Sequence, residues 1–235
     1  MNDLVKKLKG QLIVSCQALE NEPLHGSDIM ARMAIAAEEG GAGGIRANSP
    51  EDIQAIRRST NLPVIGLWKK EYEDSPAYIT PTVEDARKVK EAGADIVAVD
   101  ATDRVHPGGK TLTEFLQSLR EALPDTPIMA DISTLQEGLI AESMGIDVLS
   151  TTLSGYTEET EHITGFDGEL LQALIAESSL PVVAEGKVHT PELAKECWEM
   201  GAHAVVVGSA ITRPQEITKR FAKEVSASLM KGDRA

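Results

Sequence analysis

The sequence predicts an α/β chain of one domain, in which eight parallel strands, each followed by a helix, close into a (β/α)8 or TIM barrel. Three observations carry this expectation. Eight short apolar, β-branched runs alternate with amphipathic runs along the 235 residues. Most of these runs are nearly continuous, the pattern of parallel strands covered on both faces. The phrase of helix, glycine, small residue and apolar run returns as GAGGIRA, GADIVAVD, GIDVLSTT and GAHAVVVG, an internal repeat of the βα unit.

In order, the strand candidates are Leu12–Ala18, Gly44–Ala47, Pro63–Lys69, Ile96–Ala101, Pro127–Ile132, Val148–Thr152, Pro181–Gly186 and Ala204–Ile211. Helices are expected over Asp28–Glu39, Pro50–Arg58, Val83–Ala92, Thr113–Ala122, Leu135–Ser143, Gly168–Glu177, Pro191–Met200 and Pro214–Ser228. Ser49, Thr82 and Thr190 stand where an N-cap oxygen is needed, and Thr212 stands close before Pro214. Gly93, Gly145 and Gly201 stand where helices stop. An open doubly wound sheet is the rival, but it usually has five or six strands and a glycine-rich turn after the first. Here the glycines of GGAGGIR precede a strand, and Arg46 occupies the place of the last glycine in a dinucleotide fingerprint.

Composition narrows the function. Lys and Arg number 23 against 37 Asp and Glu, a net charge of −14, and aromatics are 3%. Nucleic-acid binding needs a basic surface and rings for bases to stack on, and this chain offers neither. No apolar run approaches the roughly 20 residues that span a bilayer. The N-terminus MNDLVKKLKGQ has no apolar core of a signal peptide. Cys16 and Cys197 lie far apart and read as small buried hydrophobes. The expectation is a cytoplasmic chain, all 235 residues in one barrel domain with a short polar tail at about 229–235. An anionic ligand would have to be gathered by a local site.

Barrel chemistry gathers at the C-terminal ends of the strands. In order these ends present Gln17, Arg46, Lys69, Asp100, Asp131, Thr151 with Thr152, Glu185, and Gly208 with Ser209. Any one of these has a structural explanation, but strand ends that merely close turns do not call for such a ring. It holds two cations, three carboxylates and neutral hydrogen-bonding groups. No metal is expected, because the five histidines are scattered without ligand spacing. His203, on an apolar segment, reads as a structural histidine, and Glu158–Glu161 as a solvated loop tip.

In barrels that bind phosphorylated substrates, the phosphate often sits on the loops after strands 7 and 8. Here those ends read Glu185-Gly186-Lys187 and Gly208-Ser209, with Arg213 following. Glycines let backbone N–H groups approach an anion, the Pro214 helix start adds donors, and Lys187 and Arg213 add charge. A small phosphorylated ligand beside a lysine and carboxylates follows. The lysine can form a Schiff base or act as a general acid and base. An aldolase, another sugar-phosphate isomerase and a non-catalytic sugar-phosphate sensor all stay open at this point.

The segments LIVSCQALENEPLH, GAGGIRANSPEDI, PVIGLWK, GADIVAVDAT, MADIST, AEGKVHTPE and VVVGSAITRPQEIT resemble those of the bacterial N-acylglucosamine-6-phosphate 2-epimerases, also called N-acetylmannosamine-6-phosphate 2-epimerases. The resemblance runs from about residue 11 to residue 222. It implies interconversion of N-acetylmannosamine 6-phosphate and N-acetylglucosamine 6-phosphate, in sialic acid degradation, without a cofactor. It also implies catalytic roles for Lys69 and Glu185. Gln17, Arg46 and Asp131 match substrate-contacting positions, and Thr151 at the sixth strand end joins them as an expected contact. Gly186, Lys187, Gly208, Ser209 and Arg213 match the phosphate site. Family members are commonly dimeric, which implies a homodimer. Ile217, Phe221 and Val225 give the last helix an apolar stripe, which suits either a dimer contact or packing on the barrel as its eighth helix.

Overall fold

A computed structural model describes residues 2–232, with side chains through Ser226. The strands are β1 (Leu12–Cys16), β2 (Gly44–Asn48), β3 (Val64–Leu67), β4 (Ile96–Asp100), β5 (Ile128–Asp131), β6 (Val148–Ser150), β7 (Val182–Ala184) and β8 (Ala204–Val207). All neighbours pair in parallel, and β8 pairs β1, so the sheet closes into a barrel. The helices are α1 (Asp3–Lys7), α2 (Ser27–Glu39), α3 (Pro50–Arg57), α4 (Val83–Glu91), α5 (Leu112–Ala122), α6 (Leu135–Ser143), α7 (Gly168–Glu177), α8 (Pro191–Glu199), α9 (Ser209–Thr212) and α10 (Pro214–Gly232). The fold is a (β/α)8 TIM barrel. No helix among the described residues is long and apolar enough to cross a membrane.

Alternation along each strand sorts side chains into two cores. Ile13, Ile65, Leu67, Ile96, Ala98, Met129, Val148, Val183, Ala204 and Val206 fill the inside of the barrel. Their neighbours Val14, Ile45, Val64, Val97, Ile128, Leu149, Val182 and Val205 pack outward with the helices. Contact is close: a Cβ on Gly66 would stand 2.6 Å from Ala94 Cβ and 2.8 Å from Ile53 Cδ1. The caps work locally. Ser49, Thr82 and Thr190 each accept a bond from a first-turn backbone N–H.

Three elements differ from expectation. The short α1 was not anticipated; its Val5, with Leu8 just after it, joins the inner core from the N-terminal side, and His203 Nε2 bonds the Val5 carbonyl at 2.8 Å. The eighth strand stops at Val207 rather than Ile211, because Gly208 turns out of extended geometry and Ser209–Thr212 coil into α9. Thr212 therefore does not cap the last helix; its buried hydroxyl donates to the Ser15 carbonyl at 2.9 Å.

The third is α10. It reaches Gly232, through most of the expected tail, and residues 233–235 lie outside the described ones. It does not lie on the barrel as an eighth helix. None of its described residues is buried, and Phe221 and Val225 are 72% and 62% exposed. A cleft of about 410 Å³ instead stands open over Leu12, Val205, Val207, Ala194 and Trp198.

Candidate functional site

Inward-facing positions at the C-terminal strand ends surround a second cavity, of about 220 Å³. The parity that turns Ile13 inward carries through Ser15 to Gln17, and the same count takes Leu67 to Lys69, Val183 to Glu185 and Val206 to Gly208. Gln17, Arg46, Lys69, Glu185 and Gly208 all line the cavity. So do Gly186, Lys187, Ser209 and Arg213 from the turns after β7 and β8. The strongly acidic chain thus gathers Arg46, Lys69, Lys187 and Arg213 around one small space.

Arg46 is wholly buried, a position that a guanidinium holds only with partners. Its NH1 donates to Asp131 at 3.1 Å and lies 3.1 Å from Glu185 Oε2, while NH2 pairs with the other Asp131 oxygen. Burial opposes the Arg46 charge, but Asp131 and Glu185 outweigh it and raise its pKa. Asp131, expected as a substrate contact, is itself wholly buried behind Arg46 and does not line the cavity. It holds the guanidinium and accepts the Thr152 hydroxyl at 2.7 Å.

Thr151 also departs from expectation. Val148 and Ser150 face inward, so the next inward residue is Thr152, and that is the threonine in the cavity lining. Thr151 is buried on the other face, its hydroxyl donating to the Glu185 carbonyl at 2.8 Å and accepting from the Glu185 N–H at 3.1 Å. It locks the carboxylate's backbone in place.

Lys69 hangs from a backbone N–H that donates to Asn48 Oδ1 at 2.7 Å. Its amine forms no ion pair among the described residues. Burial first, then Arg46 and Arg213, push its pKa down to about 8, against weaker opposing pulls from Glu185 and Asp131. Glu185 moves the other way: burial raises its pKa, and Asp131 adds to this against the pull of Arg46. A lysine lowered and a glutamate raised are the two changes that bring proton transfer within reach of neutral pH.

Loops supply what strand ends could not announce. After β3 the chain folds back, with Lys70 N donating to the Tyr78 carbonyl at 2.9 Å, and so lays Tyr78 and Ile79 against the cavity. Burial and Asp100 push the Tyr78 phenol up to about 12, which keeps it protonated. Asp100 is wholly buried, bonding Thr102, Arg104 and the Tyr78 backbone. The loop after β6 brings Tyr156 in, with the Lys187 ammonium 4.9 Å from its ring centre. Lys187 also donates to the Ile163 carbonyl, from a backbone with a φ of +57°. His189, at the cavity edge, has its pKa lowered by burial, Arg220 and Lys187. His106 lies elsewhere, buried and stacked on Phe115 at 4.0 Å.

Comparison with known proteins shows the family. A family model described as "Putative N-acetylmannosamine-6-phosphate epimerase" matches residues 30–227. A Caldanaerobacter subterraneus protein named "Putative N-acetylmannosamine-6-phosphate 2-epimerase" is 57% identical over 219 residues, 93% of this chain and 92% of that protein. One of the same name from Lactiplantibacillus plantarum is 50% identical, over 94% of this chain and 97% of its own. Among solved structures, the N-acetylmannosamine-6-phosphate 2-epimerase of Clostridium perfringens superposes with a TM-score of 0.89 at 46% identity, over 94% of this chain and 95% of that one. A thiamine phosphate pyrophosphorylase from Pyrococcus furiosus shares the fold alone, with a TM-score of 0.61 at 22% identity. On this family model and these near full-length relatives, the chain belongs to the N-acetylmannosamine-6-phosphate epimerase family.

Proposed function

We propose that the protein interconverts N-acetylmannosamine 6-phosphate and N-acetylglucosamine 6-phosphate by removing and returning the proton on C2 of the ring-opened sugar. The observation that carries this reading is the Lys69 amine: shifted to about 8, free of any ion pair among the described residues, and sharing one cavity with Glu185 and a cluster of cations.

The C2 hydrogen is acidic only beside a carbonyl, so the pyranose must first open. The Glu185 carboxylate takes the proton from O1 and, as the acid, supplies one to O5; the C1–O5 bond breaks as the C1 carbonyl forms. Lys69, in its free-base form, takes the C2 proton, and the electron pair of that C–H bond moves through C2–C1 onto the aldehyde oxygen as an enolate. Arg46, held by Asp131, orients and stabilises that oxygen. Solvent delivers a proton to the opposite face, which inverts C2 as the enolate returns to the aldehyde; the Lys69 ammonium then releases its proton to solvent, and ring closure reverses the opening. Gln17 and Thr152 hold substrate oxygens. Gly186, Lys187, Gly208, Ser209 and Arg213 hold the phosphate, whose binding energy keeps the open chain in place for reaction at the far end of the sugar.

The test is proton NMR in D₂O on N-acetylmannosamine 6-phosphate with the purified protein, beside Lys69→Ala. The gluco epimer carrying deuterium at C2, absent with the variant, is the expected result. Binding of the sugar phosphate with neither epimer nor deuterium would overturn the reading.

The reading places the protein in the cytoplasm, in keeping with two free, buried cysteines, and as a homodimer. The open cleft beside α8 is where an eighth helix would lie, and α10 carries an uncovered apolar stripe of Phe221 and Val225. In a dimer, α10 of a second copy covers that cleft and each chain buries the other's stripe.

A further inference from the structure

Glu22, in the loop after β1, is no strand-end residue, yet three hydrogen bonds and an ion pair converge on its carboxylate. Arg213 Nε lies 2.8 Å from Oε1 and Arg213 NH2 donates to Oε2 at 2.8 Å. Leu19 N donates to Oε2 at 2.8 Å, and Gln215 Nε2 to Oε1 at 3.0 Å. The pair is partly shielded, with side chains 16% and 29% exposed for Glu22 and Arg213. Glu22 thus joins the loop that carries Gln17 to the turn that carries Arg213, across the seam between β1 and β8.

We infer that Glu22 is a positioning residue for phosphate recognition, acting through Arg213; the inference rests on the substrate reading above. A guanidinium has two usable forked edges, and Glu22 occupies the one formed by Nε and NH2. The end edge, NH1 with the outer N–H of NH2, is left for an anion. Arg213 lines the cavity together with Gly186, Lys187, Gly208 and Ser209, so that edge is the one this grouping can offer to phosphate. Glu22 has a second effect. Glu185 stands in the same cavity and is the competing carboxylate for a loose guanidinium. By holding Arg213 on the opposite loop, Glu22 keeps the phosphate arm from quenching the group that opens the ring. Planar pre-organisation of this kind lowers the entropy lost when the anion binds.

The experiment is calorimetric binding of inorganic phosphate to the full chain, with steady-state kinetics on N-acetylmannosamine 6-phosphate, for Glu22→Gln, Arg213→Ala and the double variant. Glu22→Gln is expected to weaken phosphate binding and raise KM about tenfold, with kcat changing less than threefold. In the Arg213→Ala background the same substitution is expected to change phosphate affinity less than twofold. Arg213→Lys keeps the charge but cannot present two edges, and is expected to lose about the same factor as Glu22→Gln. Phosphate affinity unchanged in Glu22→Gln or in Arg213→Lys would overturn the inference. So would an equal loss with and without Arg213, which marks a merely structural role. Phosphate binding needs no turnover, so failure of the epimerase reading would be seen separately, as absence of C2 exchange in the parent protein.

Discussion

The Lys69 amine makes the sharpest quantitative demand. An ordinary lysine, at 10.5, holds about 0.03% of its amine as free base at pH 7, whereas one at about 8 holds about 9%, a gain of roughly 300-fold. The perturbation is pH, varied from about 6.8 upward so that the substrate phosphate, with a second pKa near 6, stays largely dianionic. Between pH 7 and 8 the free-base fraction rises about fivefold, and above pH 8 it can only double again. The kcat/KM, which follows groups of the free enzyme, should trace that curve. A direct reading comes from NMR titration of ¹³Cε-labelled lysines, the Lys69 signal being the one lost in Lys69→Ala. Arg213 is among the charges that depress Lys69, so Arg213→Gln should move both the resonance and the rising limb to higher pH. A Lys69 signal titrating above 10, or a kcat/KM flat from pH 7 to 9, would refute the reasoning.

The remaining predictions concern stability and assembly. Below pH 8 the folded protein carries a desolvated ammonium that the unfolded chain keeps in water, so Lys69→Met should be inactive but more stable at pH 7. Its ceiling is about 3 kcal/mol, and part exposure cuts this to about 1–2 kcal/mol; the advantage should shrink as pH rises from 8 to 10.5, read by urea melts at several pH values. Thr151→Val strips both bonds from the Glu185 backbone and should cost about 1–3 kcal/mol in the same melts. Thr152→Val loosens Asp131 and the Arg46 it holds, so its larger effect should fall on kcat/KM. Phe221→Asp with Val225→Asp should turn the proposed dimer into a monomer by sedimentation velocity; an unchanged sedimentation coefficient would count against an exchanged α10.

Much of this protein was legible in one dimension because its governing patterns are local. Continuous β-branched runs, threonine caps and glycine stops specify the first seven βα units within a residue or two, and parallel strands with helical crossovers have few ways to close. The strand-end ring was legible for the same reason, since each member ends an apolar run. The pairing of Arg46 with Asp131 and Glu185 was not, because it joins residues from β2, β5 and the end of β7. Parity separates Thr152 from Thr151, but only once the inward register of β6 is known. The eighth strand was overrun because VVVGSAI is apolar or small throughout, and what ends it is a bend at Gly208 and a tether from Thr212 to Ser15. Sequence by itself thus determined the barrel, the acidic surface and the family of residues at its mouth, all products of local hydrophobic period and composition. Tertiary structure alone decided which carboxylate supports which cation, which threonine lines the cavity and where α10 goes, because those outcomes depend on side chains that meet only after the barrel has closed.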